Sequence, residues 1–85
     1  MKDAITEQEL GNLLSKKMDF SVIKVYDINE VFSYLEGNGW EEYVEYETNG
    51  WQVDWWKTYK QGKILLELAG SMWYTNLEGR FSSLP

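Results

Sequence analysis

The residues best able to do chemistry stand together in "EEYVEYETNGWQVDWW", residues 41–56. Glu41, Glu45, Glu47 and Asp54 supply carboxylates there, interleaved with Tyr43, Trp51 and Trp56. Three kinds of chemistry use such a set. Paired carboxylates hydrolyse glycosides, but only inside a cleft that holds the sugar, and a chain of this size offers little depth. Carboxylates also hold hard divalent cations, and Glu45, Glu47 and Asp54 are the candidates, but no EF-hand or similar loop accompanies them. The third use is a contact surface, in which Tyr and Trp anchor a partner and the acids steer a basic one. Against all three stands a plain solvated sheet face. Cross-strand aromatic pairs stabilise such a face by ~0.2–1 kcal/mol each, and its acids discourage edge pairing.

Composition narrows the choice. The sequence has no Cys and no His, which excludes a disulfide framework, a Cys/His zinc site, and Ser-His-Asp or Cys-His catalysis. The expectation is a protein without catalytic residues, metal or cofactor. It carries 14 acids against 8 bases, a net charge of −6. That disfavours direct contact with a nucleic-acid backbone, which needs a basic stripe. Residues 40–50 hold four of the acids (Glu41, Glu42, Glu45 and Glu47) and no base. The first residues, "MKDAITEQEL", contain no apolar core of signal-peptide length. The longest apolar run, "ILLELA", is broken by Glu67 and falls far short of the ~20 residues of a membrane span. A soluble, unprocessed, cytoplasmic protein is expected.

These side chains need elements to position them. Thr6 and Glu9 form a capping box, Ile5 and Leu10 a hydrophobic staple, and Leu10, Leu13, Leu14 and Met18 an apolar stripe, predicting a helix over 7–17. The β-branched run "FSVIKVYD" predicts a strand over 20–27, at an edge that the sequence does not specify. Asp27 with Glu30, and Tyr26 with Val31, repeat the start signals for a helix over 28–36, closed by Gly37 in a left-handed C′ position. The remainder reads as a meander turned at Asn49-Gly50, Gln61-Gly62 and Gly70-Ser71. Two-residue turns there would pair Val44 with Trp55, Glu42 with Lys57, Tyr59 with Ile64, and Leu68 with Trp73. One face then collects Trp40, Val44, Tyr46, Val53, Trp55, Tyr59, Ile64, Leu66, Leu68 and Trp73, by the period-two alternation of strands. Residues 76–85 would extend the last strand or form a tail. The whole is a single domain over 1–85 of α+β class, with two N-terminal helices packed on one face of an antiparallel β-meander, in the order α-β-α-β-β-β-β.

The opposite face would present Glu41, Tyr43, Glu45, Glu47, Asp54, Trp56, Glu67 and Tyr74. Tyr43 is expected opposite Trp56, Glu45 opposite Asp54, and Glu67 between Trp56 and Tyr74. An acidic face with an aromatic centre suits a larger protein with a basic surface. In size, charge and want of catalytic residues the chain resembles the small acidic phage proteins, anti-CRISPR and anti-restriction proteins among them, that block nucleic-acid-handling enzymes. That resemblance implies a viral inhibitor of DNA-mimic type in the host cytoplasm. Two alternatives share the composition. One is an immunity or antitoxin protein, and the other is a carbohydrate-binding module that stacks sugars on Trp51, Trp56 and Tyr43.

Overall fold

The computed structural model describes residues 5–22, 27–48, 54–71 and 77–85, with Tyr46 described by its backbone alone. The elements are α1 (Glu7–Lys16), β1 (Phe20–Val22), α2 (Ile28–Gly37), β2 (Glu41–Thr48), β3 (Asp54–Gln61), β4 (Ile64–Ser71) and β5 (Leu77–Ser83). This is the expected α+β order. The five strands form one antiparallel sheet in the order β1-β5-β4-β3-β2. No described helix is long and apolar enough to cross a membrane.

Both helices start where their caps dictate. Thr6 Oγ1 accepts from the Glu9 amide at 3.1 Å while Glu9 Oε1 accepts from the Thr6 amide at 3.1 Å. Ile5 and Leu10 are both buried, as a staple requires. Lys17 closes α1 in the left-handed region at φ 53°, so the chain turns before Met18. Met18 is consequently 57% exposed and leaves the stripe to which it was assigned. Asp27 caps α2 by accepting from the Asn29 amide at 2.9 Å. The second staple and the rest of the 20–27 strand involve residues 23–26, outside the described residues. Gly37 is the last helical residue, and the positive φ of 88° falls at Gly39 instead.

The strand registers differ from those the turn dipeptides predict, and each difference has a cause. Between β3 and β4, Tyr59 lies opposite Leu66 and Lys57 opposite Leu68, so the turn is Gly62-Lys63. Gly62, at φ 64°, sits at the first central position, where the glycine-first II′ hairpin needs it. Gly70-Ser71 does not turn. Gly70 is buried within β4, opposite Trp55 on one side and Leu77 on the other. A glycine inside a strand often marks close approach rather than a bend. The last strand is therefore Leu77–Ser83, the segment expected to be an extension or a tail, and Met72, Trp73, Tyr74 and Thr75 lie outside the described residues. Both shifts are by an even number of residues, so β3 and β4 keep their predicted faces.

The first hairpin changes more. Thr48 pairs with Trp55, and the turn predicted at Asn49-Gly50 lies outside the described residues. Residues 49–53, with Trp51, Gln52 and Val53, lie outside the described residues. The register slips between Glu42↔Tyr59 and Val44↔Thr58, and again between Val44↔Thr58 and Glu47↔Trp56. Each slip adds one residue to β2 and reverses the alternation, and the second restores it. Val44, between them, points the wrong way for a core residue and is 37% exposed. An edge strand with one neighbour absorbs such mismatch more cheaply than β3, which is held on both sides.

One sheet face supplies Trp55, Tyr59, Leu66, Leu68 and Leu77 to a buried cluster, and the helices add Leu10, Leu14, Val31, Phe32 and Leu35. Phe32 meets Trp55 edge-on with ring centroids 5.7 Å apart, and Tyr59 at 6.0 Å. Gly79 belongs to this face as well. A Cβ there would come within 2.2 Å of the Phe20 ring, so the β1 edge is seated by an aromatic lying over a glycine.

Candidate protein-binding face

The other face of the sheet can be read row by row. Glu47 lies opposite Trp56, Trp56 opposite Ala69, Ala69 opposite Glu78, and Glu78 opposite Ser21. This row crosses all five strands. A second row holds Thr58, Glu67 and Arg80, and a third begins with Glu41, Lys60 and Leu65.

The predicted face residues are brought together only in part. Trp56 is 39% exposed, and its indole N–H donates to Glu47 Oε2. The expected Tyr43–Trp56 pairing is replaced by this one. Tyr43 falls in the first β2 irregularity, 49% exposed, with the Lys60 ammonium 5.9 Å from its ring centroid. Glu45 falls in the second and is exposed there. Asp54 lies opposite Ser71, and the Glu45–Asp54 like-charge pair does not form. Glu67 sits between Thr58 and Arg80, not between Trp56 and Tyr74, so its cross-strand neighbour is a cation. Glu41 is exposed opposite Lys60. Tyr74 is outside the described residues.

The face is thus less uniformly acidic than expected. Lys60 and Arg80 stand among its carboxylates. Glu47, Asp54 and Glu78 lie near Trp56 at one end of the face. An open groove of about 490 Å³ lies there, lined by Asp54, Trp56, Ala69 and Glu78 among others. Among the described residues, no three acidic groups converge as cation ligands would.

The sequence reading did not single out Lys57 on the covered face, or Glu78 and Arg80 on the other. Lys57 is 8% exposed between Trp55 and Tyr59. Its ammonium lies 3.2 Å from Glu42 Oε2, 4.3 Å from the Phe32 ring centroid and 5.2 Å from that of Tyr59. Tyr59 donates its phenol to Glu36 Oε2 at 2.9 Å. Burial, then the Glu36 hydrogen bond and charge, then the Glu42 charge hold that phenol well above its ordinary range. The signal for Lys57 was its odd number in β3, which shares a face with Trp55 and Tyr59 by simple alternation. Glu78 and Arg80 were missed because β5 was not recognised as a strand. Comparison of the chain with protein-family models, with curated proteins and with solved structures gave no match.

Proposed function

We infer that this chain is a non-enzymatic protein-binding inhibitor that occupies a basic, nucleic-acid-binding site on a larger protein. One observation carries the inference. Trp56 is exposed on a central strand while its indole N–H is tied to Glu47. Tryptophan is the residue type most often found as an interface anchor. A ring already fixed by a hydrogen bond has less entropy left to lose on binding. The carboxylates around it, with the net charge of −6, favour a partner lined by Lys and Arg, for which they compete with phosphate. Resemblance in size and charge to small phage anti-defence proteins favours inhibition of a nucleic-acid-handling enzyme as the form of this activity.

The test is capture from source-cell lysate at low and high salt, with the parent beside Trp56→Ala and Glu47→Lys. A protein retained by the parent, lost on Trp56→Ala, and hindered by the parent in binding nucleic acid is the expected result. Identical retention by the parent and both variants would overturn the proposal.

A further inference from the structure

We propose that β2 docks in a groove of the partner that ordinarily holds single-stranded nucleic acid, its carboxylates standing in for phosphates and the Tyr43 and Trp56 rings for bases. This rests on the protein-binding reading above and names the kind of site that the partner presents. The observation behind it is the exposure of β2. Every side chain described in Glu41–Thr48 is exposed. That includes the two that lie opposite buried core residues, Glu42 across from Tyr59 and Thr48 across from Trp55. The core under the sheet therefore ends at β3, and the described side chains of β2 add nothing to it. What β2 offers instead is a surface. At about 3.3 Å per residue, Glu41 and Glu47 stand up to about 20 Å apart, so the acids of β2 form a line rather than a cluster. Lys57 pairs with Glu42, and Lys60 lies opposite Glu41. Among the described residues the line is therefore most negative towards Glu45 and Glu47.

The two β2 irregularities bear on how this strand makes contact. A bulge re-aims side chains and interrupts the hydrogen-bond ladder that an added strand would need. β2 is thus a poor template for a strand of the partner, and its side chains rather than its backbone carry the contact. Tyr43 and Glu45 fall in those irregularities, and both are exposed. Rings consequently stand among the charges, Tyr43 within the line and Trp56 next to it, bonded to Glu47. A nucleic-acid duplex hides the faces of its bases and shows phosphates alone, whereas a single strand shows charge and ring together. Proteins that hold single strands answer with a basic groove and aromatic side chains on which the bases stack. Such a groove fits β2. Its cations meet the carboxylates, and its rings stack on Tyr43 and Trp56.

The test challenges the captured partner with nucleic acid. Immobilised protein is loaded from source-cell lysate at low salt. The bound protein is then titrated with an oligothymidine of ~16 nucleotides, the upper site size of one single-strand-binding fold, or with a hairpin duplex carrying the same number of phosphates. The single strand is expected to release the partner at a concentration at least ~10-fold below that of the duplex, because it alone offers rings to the groove. Tyr43→Leu, which keeps an exposed apolar side chain and removes the ring, should retain the partner at least ~5-fold more weakly, as the loss of one stacked ring does. Glu45→Gln should weaken capture at low salt and much less at high salt. Unfolding midpoints of both variants, at exposed positions, should match the parent. Release by duplex as readily as by single strand, release by neither, or parent-like retention by both variants would each overturn the assignment. Any of these leaves a captured partner, and with it the protein-binding reading, whereas a lysate that yields no captured protein removes both.

Discussion

Lys57 and Glu42 form an ion pair at 3.2 Å that is dry at one end and wet at the other. The lysine side chain is 10% exposed and the glutamate 42%. The ammonium also lies over the Phe32 ring at 4.3 Å, so it joins β2, β3 and α2. Removing one partner of a fully buried pair costs ~3–5 kcal/mol, because a buried charge is left alone. Here water reaches Glu42, and the cost should be smaller. Glu42→Gln is expected to destabilise by about 1–2 kcal/mol after that screening is allowed for. Lys57→Met, which keeps the stem and removes the charge, should be neutral or stabilising. Urea unfolding at pH 7 reads both. A Lys57→Met variant less stable than Glu42→Gln would show that the cation itself supports the fold.

Val44 and Trp55 were expected to pair in the core, and the structure separates them. Trp55 is 4% exposed and in edge contact with Phe32, whereas Val44 is 37% exposed between the two β2 irregularities. Trp55→Ala should therefore cost ~3–5 kcal/mol, as large-to-small core changes do. Val44→Thr should stay within ~0.5 kcal/mol, as an exposed change does. Thermal or urea unfolding of the two single variants decides between the registers. Comparable losses in both would restore Val44 to the core and remove the irregularities.

What could be read from the sequence depended on how local the cause was. The caps at Thr6 and Asp27 act within four residues, and both helices begin where they say. Faces survived on β3 and β4 because parity is insensitive to an even slip, so Trp55, Tyr59, Leu66 and Leu68 were placed in the core despite misplaced turns. Gly70 shows the limit. A glycine beside a serine reads as a turn locally, yet here it is paired across the sheet with Trp55 and Leu77 from other strands. The β2 irregularities are equally non-local, since they reconcile an edge strand with a β3 register fixed by β4. Of the acidic face, Trp56 and Glu47 remain on it but as neighbours, where the sequence placed Tyr43 opposite Trp56. The Glu45–Asp54 pair does not form, because it depended on the slipped segment.

Gly79 is required by sterics rather than by backbone angle. It has no positive φ, but a Cβ would meet three atoms of the Phe20 ring, the nearest at 2.2 Å. Overpacking of this kind typically costs ~1–3 kcal/mol. Gly79→Ala should fall in that range and should loosen β1, whose one neighbour among the described strands is β5. Combining it with Phe20→Ala should cost less than the sum of the single changes, because the clash disappears with the ring. Hydrogen exchange at Ser21 and Val22, together with urea midpoints for the cycle, measures both effects. Additive losses would mean that the ring moves aside and the contact is not what selects glycine.

Tyr59 sets a pH dependence at the alkaline end. Its phenol is buried and hydrogen-bonded to Glu36, and burial together with the Glu36 and Glu42 charges raises its pKa above the ordinary 10.0. The native state therefore keeps this proton after the unfolded chain has begun to lose it. Stability from this group is complete below pH 10 and declines as pH rises from there towards the raised value, by at most about 1.4 kcal/mol per pH unit for one proton. Other tyrosines and the lysines titrate in the same range, so the informative quantity is the difference between the parent and Tyr59→Phe. At neutral pH the variant should be less stable by about 1 kcal/mol for the lost hydrogen bond. Above pH 10 the gap should narrow and then change sign, because phenylalanine has no proton to hold. Urea unfolding from pH 7 to pH 11 supplies the curve. Parallel decline of the two proteins would mean that another group governs the alkaline limit.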